Sequence, residues 1–165
     1  MKTVTVEQFL TFGPCYGEEC IRRIAERTGK TEFTALDILA IPRIPNVDQL
    51  WAVLRVGLID TPMLHEFACR CAERALAMVD NPDPRSVAAI AAKRAWLRGE
   101  ITNDELAAAL VAALDAAWSA DWDAAWAAAS AARDAASAAA WAAARDAEYK
   151  WQVAEIKRML HEVTE

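Results

Sequence analysis

Hydrophobic positions along this chain recur with helical spacing, and the breaks between the runs carry helix-start and helix-stop residues. Residues 50–102 show the pattern best. Asn46 followed by Gln49 has capping-box spacing and predicts a helix start just upstream. Asp60-Thr61-Pro62 and Asn81-Pro82-Asp83-Pro84 each set a capping side chain ahead of a proline, where the missing N–H costs nothing. Gly99 suits a left-handed C-cap, and Thr102 with Glu105 repeats the capping-box pattern for the next segment. The pattern therefore predicts helix, turn, helix, turn, helix.

On a helical wheel, Leu64, Phe67, Ala68, Cys71, Ala75, Met78 and Val79 share one stripe of the middle helix, with Arg70 and Arg74 along its edge. In the third helix Val87, Ile90 and Ala91 form the apolar side, and Arg94 and Arg98 fall on that same side. A guanidinium there needs partners, because an unpaired buried charge is strongly unfavourable. One reading supplies intramolecular carboxylates such as Glu66 or Glu73, or lets the long stems reach to the edge. Removal of an arginine should then destabilise the fold by on the order of 3–5 kcal/mol. The other reading is an anion site built from two or more helices. Arg94→Ala, or failing that Arg70→Ala or Arg74→Ala, should then leave the fold intact and abolish activity.

Upstream, Val6, Phe9 and Leu10 precede a Gly13-Pro14 break, and a helix from about residue 16 to 28 ends at Gly29. Thr34 with Asp37 opens a brief helix through Leu39, stopped by Pro42 and Pro45. Arg22, Arg23 and Arg27 alternate with Glu18, Glu19 and Glu26, a solvated face with i, i+4 pairs. TVTV near the start is the only strand-like alternation, so no strand longer than a residue pair is expected.

Beyond residue 102 the composition changes. More than half of residues 107–147 are alanine, and no glycine or proline interrupts the run to the C-terminus. This predicts one very long helix or a helical hairpin. In a continuous helix Trp118, Trp122, Trp126, Trp141 and Trp151 make one drifting stripe with Arg133 inside it, where a cation over an indole face is favourable. The stripe reads as a packing seam, or as the wall of a ligand pocket in which indoles stack on bases and arginine grips phosphate. The predicted class is all-α, a multi-helix bundle with a long Ala/Trp-rich C-terminal helix or hairpin. Residues 1–102 form an N-terminal helical core, and residues 103–165 pack on it or on a partner subunit. A homodimer is favoured.

The chain has 165 residues, is 55% hydrophobic and carries a formal net charge of −6, which repels a long nucleic acid. With no leader-like start and no apolar span of membrane length, a cytoplasmic protein with no membrane partner is expected. Cys15/Cys20 and Cys69/Cys71 lack CxxC spacing and read as reduced structural thiols rather than metal ligands. There is no P-loop, no GxGxxG after a strand, no HExxH and no nucleophile elbow, and His65 and His161 read as structural. No enzyme activity, catalytic residue, metal or cofactor is expected.

The segments LWAVLR, EFACRCAERAL and NPDPRSVAAIAAKRAWLRGE, within residues 35–102, resemble a family of helical proteins of phage and bacterial genomes that are assigned as immunity proteins or left uncharacterised. The resemblance implies a setting of phage and bacterial conflict in the host bacterial cytoplasm. In that setting the arginines and tryptophans suggest a non-enzymatic, phage-type anti-defence protein. It would sequester a small anionic, nucleotide-derived immune signal in a pocket of Arg55, Arg70, Arg74, Arg94, Arg98, Trp51, Trp96, Trp122 and Arg133. The alternative is a protein-binding inhibitor or immunity-type protein that blocks a host or toxin protein through the acidic Ala/Trp helical surface.

Overall fold

The computed structural model describes residues 2–55, 57–115 and 137–163, with backbone alone for 55 and 137–144. Trp118, Trp122, Trp126 and Arg133, and the choice between one helix and a hairpin, lie outside the described residues, as does the side chain of Trp141.

In order, the elements are β1 (Thr3–Thr5), α1 (Val6–Leu10), α2 (Glu18–Thr28), β2 (Glu32–Thr34), α3 (Ala35–Leu39), α4 (Asn46–Arg55), α5 (Thr61–Leu76) and α6 (Pro84–Leu97). The helical run 103–115, here α7, and α8 (Ser137–Glu162) follow. The fold is all-α, with one antiparallel ribbon in which Val4 faces Phe33.

That ribbon corrects the expectation about strands, since β1 and β2 have three residues each. Each strand ends in a threonine that caps the next helix. The Thr5 hydroxyl accepts from the Gln8 amide while the Gln8 side chain accepts from the Thr5 N–H, and Thr34 and Asp37 repeat the exchange. A three-residue strand is too short to print an alternation, so β2 is hidden in sequence behind its own cap.

Most other punctuation holds. Asp60 accepts from the Met63 N–H at 3.0 Å, and Asp83 from the Arg85 N–H at 2.8 Å with Pro84 opening α6. Gly99 has φ 74°, and its N–H and that of Glu100 bond back to Trp96 and Ala95, closing α6 in a Schellman turn. Thr102 and Glu105 form the reciprocal box that opens α7. The Asn46/Gln49 pairing is corrected. Asp48 and Gln49 donate their N–H groups to the Pro45 carbonyl, and the buried Gln49 side chain donates to the Ile41 carbonyl at 3.0 Å. A half-buried carbonyl in a proline-flanked loop gains a donor from Gln49, whose own buried amide needs a partner.

The chain divides into two compact units, Met1–Leu64 with Arg145–Glu165, and His65–Ala144. The division falls inside α5 rather than at residue 102, and the end of α8 belongs with the N-terminal elements. In the first unit Val53, Leu39 and Ile156 are fully buried, and Val153, Ile156 and Leu160 give α8 its inward stripe. In the second, Phe67, Cys69, Ala89 and Leu106 are buried. Met78 and Val79 are 78% and 54% exposed, because α5 ends at Leu76 before its predicted stripe does.

Candidate functional site

Glu66, Arg70 and Glu73 follow one another at i, i+4 and i+7 along α5, so they share a face. Arg94, in the last turn of α6, meets that face. Its Nε and Nη2 donate to the two Glu66 carboxylate oxygens at 2.9 and 3.0 Å. Its Nη2 also donates to Glu73 Oε2 at 2.9 Å, and Nη1 to Glu73 Oε1. Four of the five guanidinium N–H groups are thereby taken, in two fork-like grips. Arg70 Nε adds a bond to Glu66 at 3.0 Å, so Arg70 and Arg94 meet on one carboxylate.

The side chains of Arg94, Glu66 and Arg70 are 28%, 30% and 24% exposed, which leaves the network partly screened by solvent. Hydrogen bonds from Arg94 hold the Glu66 and Glu73 carboxyls below the usual range, against desolvation that pushes the other way. The same bonds, donated to Glu73 and Glu66, raise Arg94. Beside them Cys69 is buried, and burial pushes its thiol up, away from thiolate chemistry.

The other expected site residues are placed differently. Arg98 is the C-cap of α6, not part of its apolar side, and it grips Glu100 through Nε and Nη2 at 2.6 and 2.7 Å with its side chain 56% exposed. Arg74 is half-buried in the last turn of α5. Arg55 is the final residue of α4 and Trp51 lies four residues before it, both in the first unit, where Trp51 meets Phe9 edge-on at 6.2 Å. Trp122 and Arg133 lie outside the described residues.

Trp96 is more tightly held than sequence reasoning foresaw. Lys93 Nζ sits 4.0 Å from its ring centroid, His65 approaches edge-on at 5.7 Å, and its Nε1–H donates to Asn103 at 2.7 Å. The i, i+3 spacing of Lys93 and Trp96 was the available signal. His65 and Asn103 join only in the fold.

A second feature was not foreseen. In the first unit a cavity of about 90 Å³ opens among Val4, Phe9, Ile21, Phe33, Ile38 and Trp51, beside the loop that carries Pro14, Cys15 and Tyr16. The Tyr16 hydroxyl, in its lining, donates to Asp48 at 2.6 Å, and that bond pushes the Tyr16 phenol up to about 12. The walls come from separate short elements, which no single periodicity announces.

All four cysteines are free, with Cys69 buried, Cys71 half-buried, and Cys15 and Cys20 exposed rather than in the core. Among the described residues no three His, Cys, Asp or Glu side chains gather as a metal site, and no helix is long and apolar enough to cross a membrane. Compared with family models, with curated proteins and with solved structures, the chain finds no significant match.

Proposed function

We propose that this chain is a non-enzymatic inhibitor of the immunity type, which binds a host or toxin protein in the bacterial cytoplasm and blocks it. The observation that carries the reading is the outer face of α7. Ala107, Leu110, Val111 and Leu114 recur at i, i+3, i+4 and i+7, and all are exposed, Val111 and Leu114 by 57% and 58%. Such a stripe is the form in which an amphipathic helix enters a partner's groove. Asp104, Glu105 and Asp115 stand on the same helix, and with the net charge of −6 they favour a partner whose groove has a basic rim. The resemblance read in residues 35–102 adds the setting of phage and bacterial conflict.

Sequestration of a small nucleotide-derived anion ranks second on the geometry. A phosphate approaching Arg94 must displace Glu66 or Glu73, and Arg98 already holds Glu100. Calorimetric titration with cyclic dinucleotides and ADP-ribose derivatives, run beside photo-crosslinking from position 111 in the host, separates the two. The expected result is no heat from any nucleotide, and one crosslinked host protein lost in a folded Leu110→Glu or Leu114→Glu variant. Saturable heat with a nucleotide, abolished by Arg70→Ala or Arg94→Ala, would overturn the proposal in favour of sequestration.

A further inference from the structure

The cavity of the first unit has no part in that function. Its space of about 90 Å³ is walled almost wholly by hydrocarbon. The polar side chains at its edge are already bonded to protein. Tyr16 donates to Asp48 at 2.6 Å, Gln49 donates to the Ile41 carbonyl at 3.0 Å, and the Thr5 hydroxyl accepts from the Gln8 N–H at 3.2 Å. Water held there would find few of the roughly two to four polar partners it needs, so the lining favours apolar guests. A charged or strongly polar guest would lose its hydration and find little in exchange.

The loop beside the cavity is equally specific. Residues 11–17 have no regular secondary structure, and Gly13 takes φ 64°, which a side chain would disfavour. From this loop Pro14, Cys15 and Tyr16 reach the cavity wall, and the Tyr16–Asp48 bond ties the loop to α4.

We propose that this cavity is a binding site for a small uncharged hydrocarbon ligand, with the Tyr16–Asp48 bond holding loop 11–17 against its rim. The size follows from volume. A dry cavity of about 150 Å³ accepts benzene, so the smaller one here suits a compact group of about three to five carbons. The site is independent of the α7 face, and its test needs no partner protein.

The experiment follows the methyl resonances of the wall isoleucines by NMR while the full-length protein is titrated with xenon, then cyclopropane, cyclobutane and cyclopentane, with isopropylammonium as the charged control. Expected are saturable shifts confined to the cavity wall. Affinity should rise about fourfold for each added methylene until the space is filled. Isopropylammonium should produce no such shifts. Ala52→Leu fills the cavity and should weaken binding at least tenfold in a folded protein. If that variant fails to fold, Ile44→Phe, on a half-buried loop position, serves the same purpose. Tyr16→Phe should leave affinity nearly unchanged and speed exchange of the guest. Absence of saturation, equal response to the charged control, or undiminished binding in the folded filling variants would each overturn the proposal.

Discussion

Replacing Arg94 by alanine tests whether the guanidinium belongs to the scaffold. The change removes four N–H donors from two carboxylates and leaves Glu66 with only its bond to Arg70. The scale lies between two limits. Removing one partner of a fully buried ion pair costs about 3–5 kcal/mol, whereas an exposed pair contributes roughly 0–1 kcal/mol. With Arg94 and Glu66 28% and 30% exposed, the intermediate burial points to about 2 kcal/mol. Since the chain forms two compact units, one melting temperature would mix their transitions. Native-state hydrogen exchange of α5 and α6 amides reads the unit that holds the network. Arg94→Ala should lower protection there by roughly 30-fold, at about 1.4 kcal/mol per tenfold. In a double-mutant cycle with Glu66→Gln the coupling should be about 1 kcal/mol. Arg94→Lys keeps the charge but not the fork, and should recover less than half of the loss. Unchanged protection in Arg94→Ala, with loss of biological effect, would show that this arginine serves a ligand and would refute the structural reading.

Acid should act through the same network. Glu66 and Glu73 are depressed below their ordinary value of 4.5, so the stability they contribute is present above pH 4.5 and is lost as pH falls below it. Exchange protection of α5 measured from pH 6 downward should fall in that window, and Arg94→Ala should flatten the dependence. Gly99→Ala, at φ 74°, should cost about 1 kcal/mol by denaturant unfolding, because the left-handed C-cap tolerates a Cβ poorly. Gln49→Leu removes the donor to the half-buried Ile41 carbonyl and should cost about 1 kcal/mol, whereas loss of a surface residue would cost little. Light scattering should give a dimer at micromolar concentration, and a strictly monomeric mass would reject twofold pairing.

How far the sequence could be read depends on how locally each feature is encoded. Asp60, Asp83, Thr34, Gly99 and Thr102 were legible because a cap is settled within about four residues by groups the backbone itself presents. Gln49 misled for the complementary reason. Its spacing from Asn46 satisfied the local rule, but its own buried amide needed a partner and has it in a carbonyl eight residues back in the loop. At the site, the wheel named Glu66 and Glu73 as candidate partners of Arg94, and both are found on it, but the apolar side it gave α6 is not the buried one, since Val87 and Ala91 are exposed and Ala89 is buried. What the wheel could not hold was the end of the helix. Arg98 and Met78 were projected onto faces of helices that stop at Leu97 and Leu76, so their predicted sides do not exist. The cavity is the extreme case. Val4, Phe33, Ile38 and Trp51 lie on β1, β2, α3 and α4, and only the pairing of two three-residue strands brings these elements around one space. Function is harder to read than fold here for the same reason. A face such as that of α7 is visible as a local pattern, while the chemistry that must fit it belongs to another molecule.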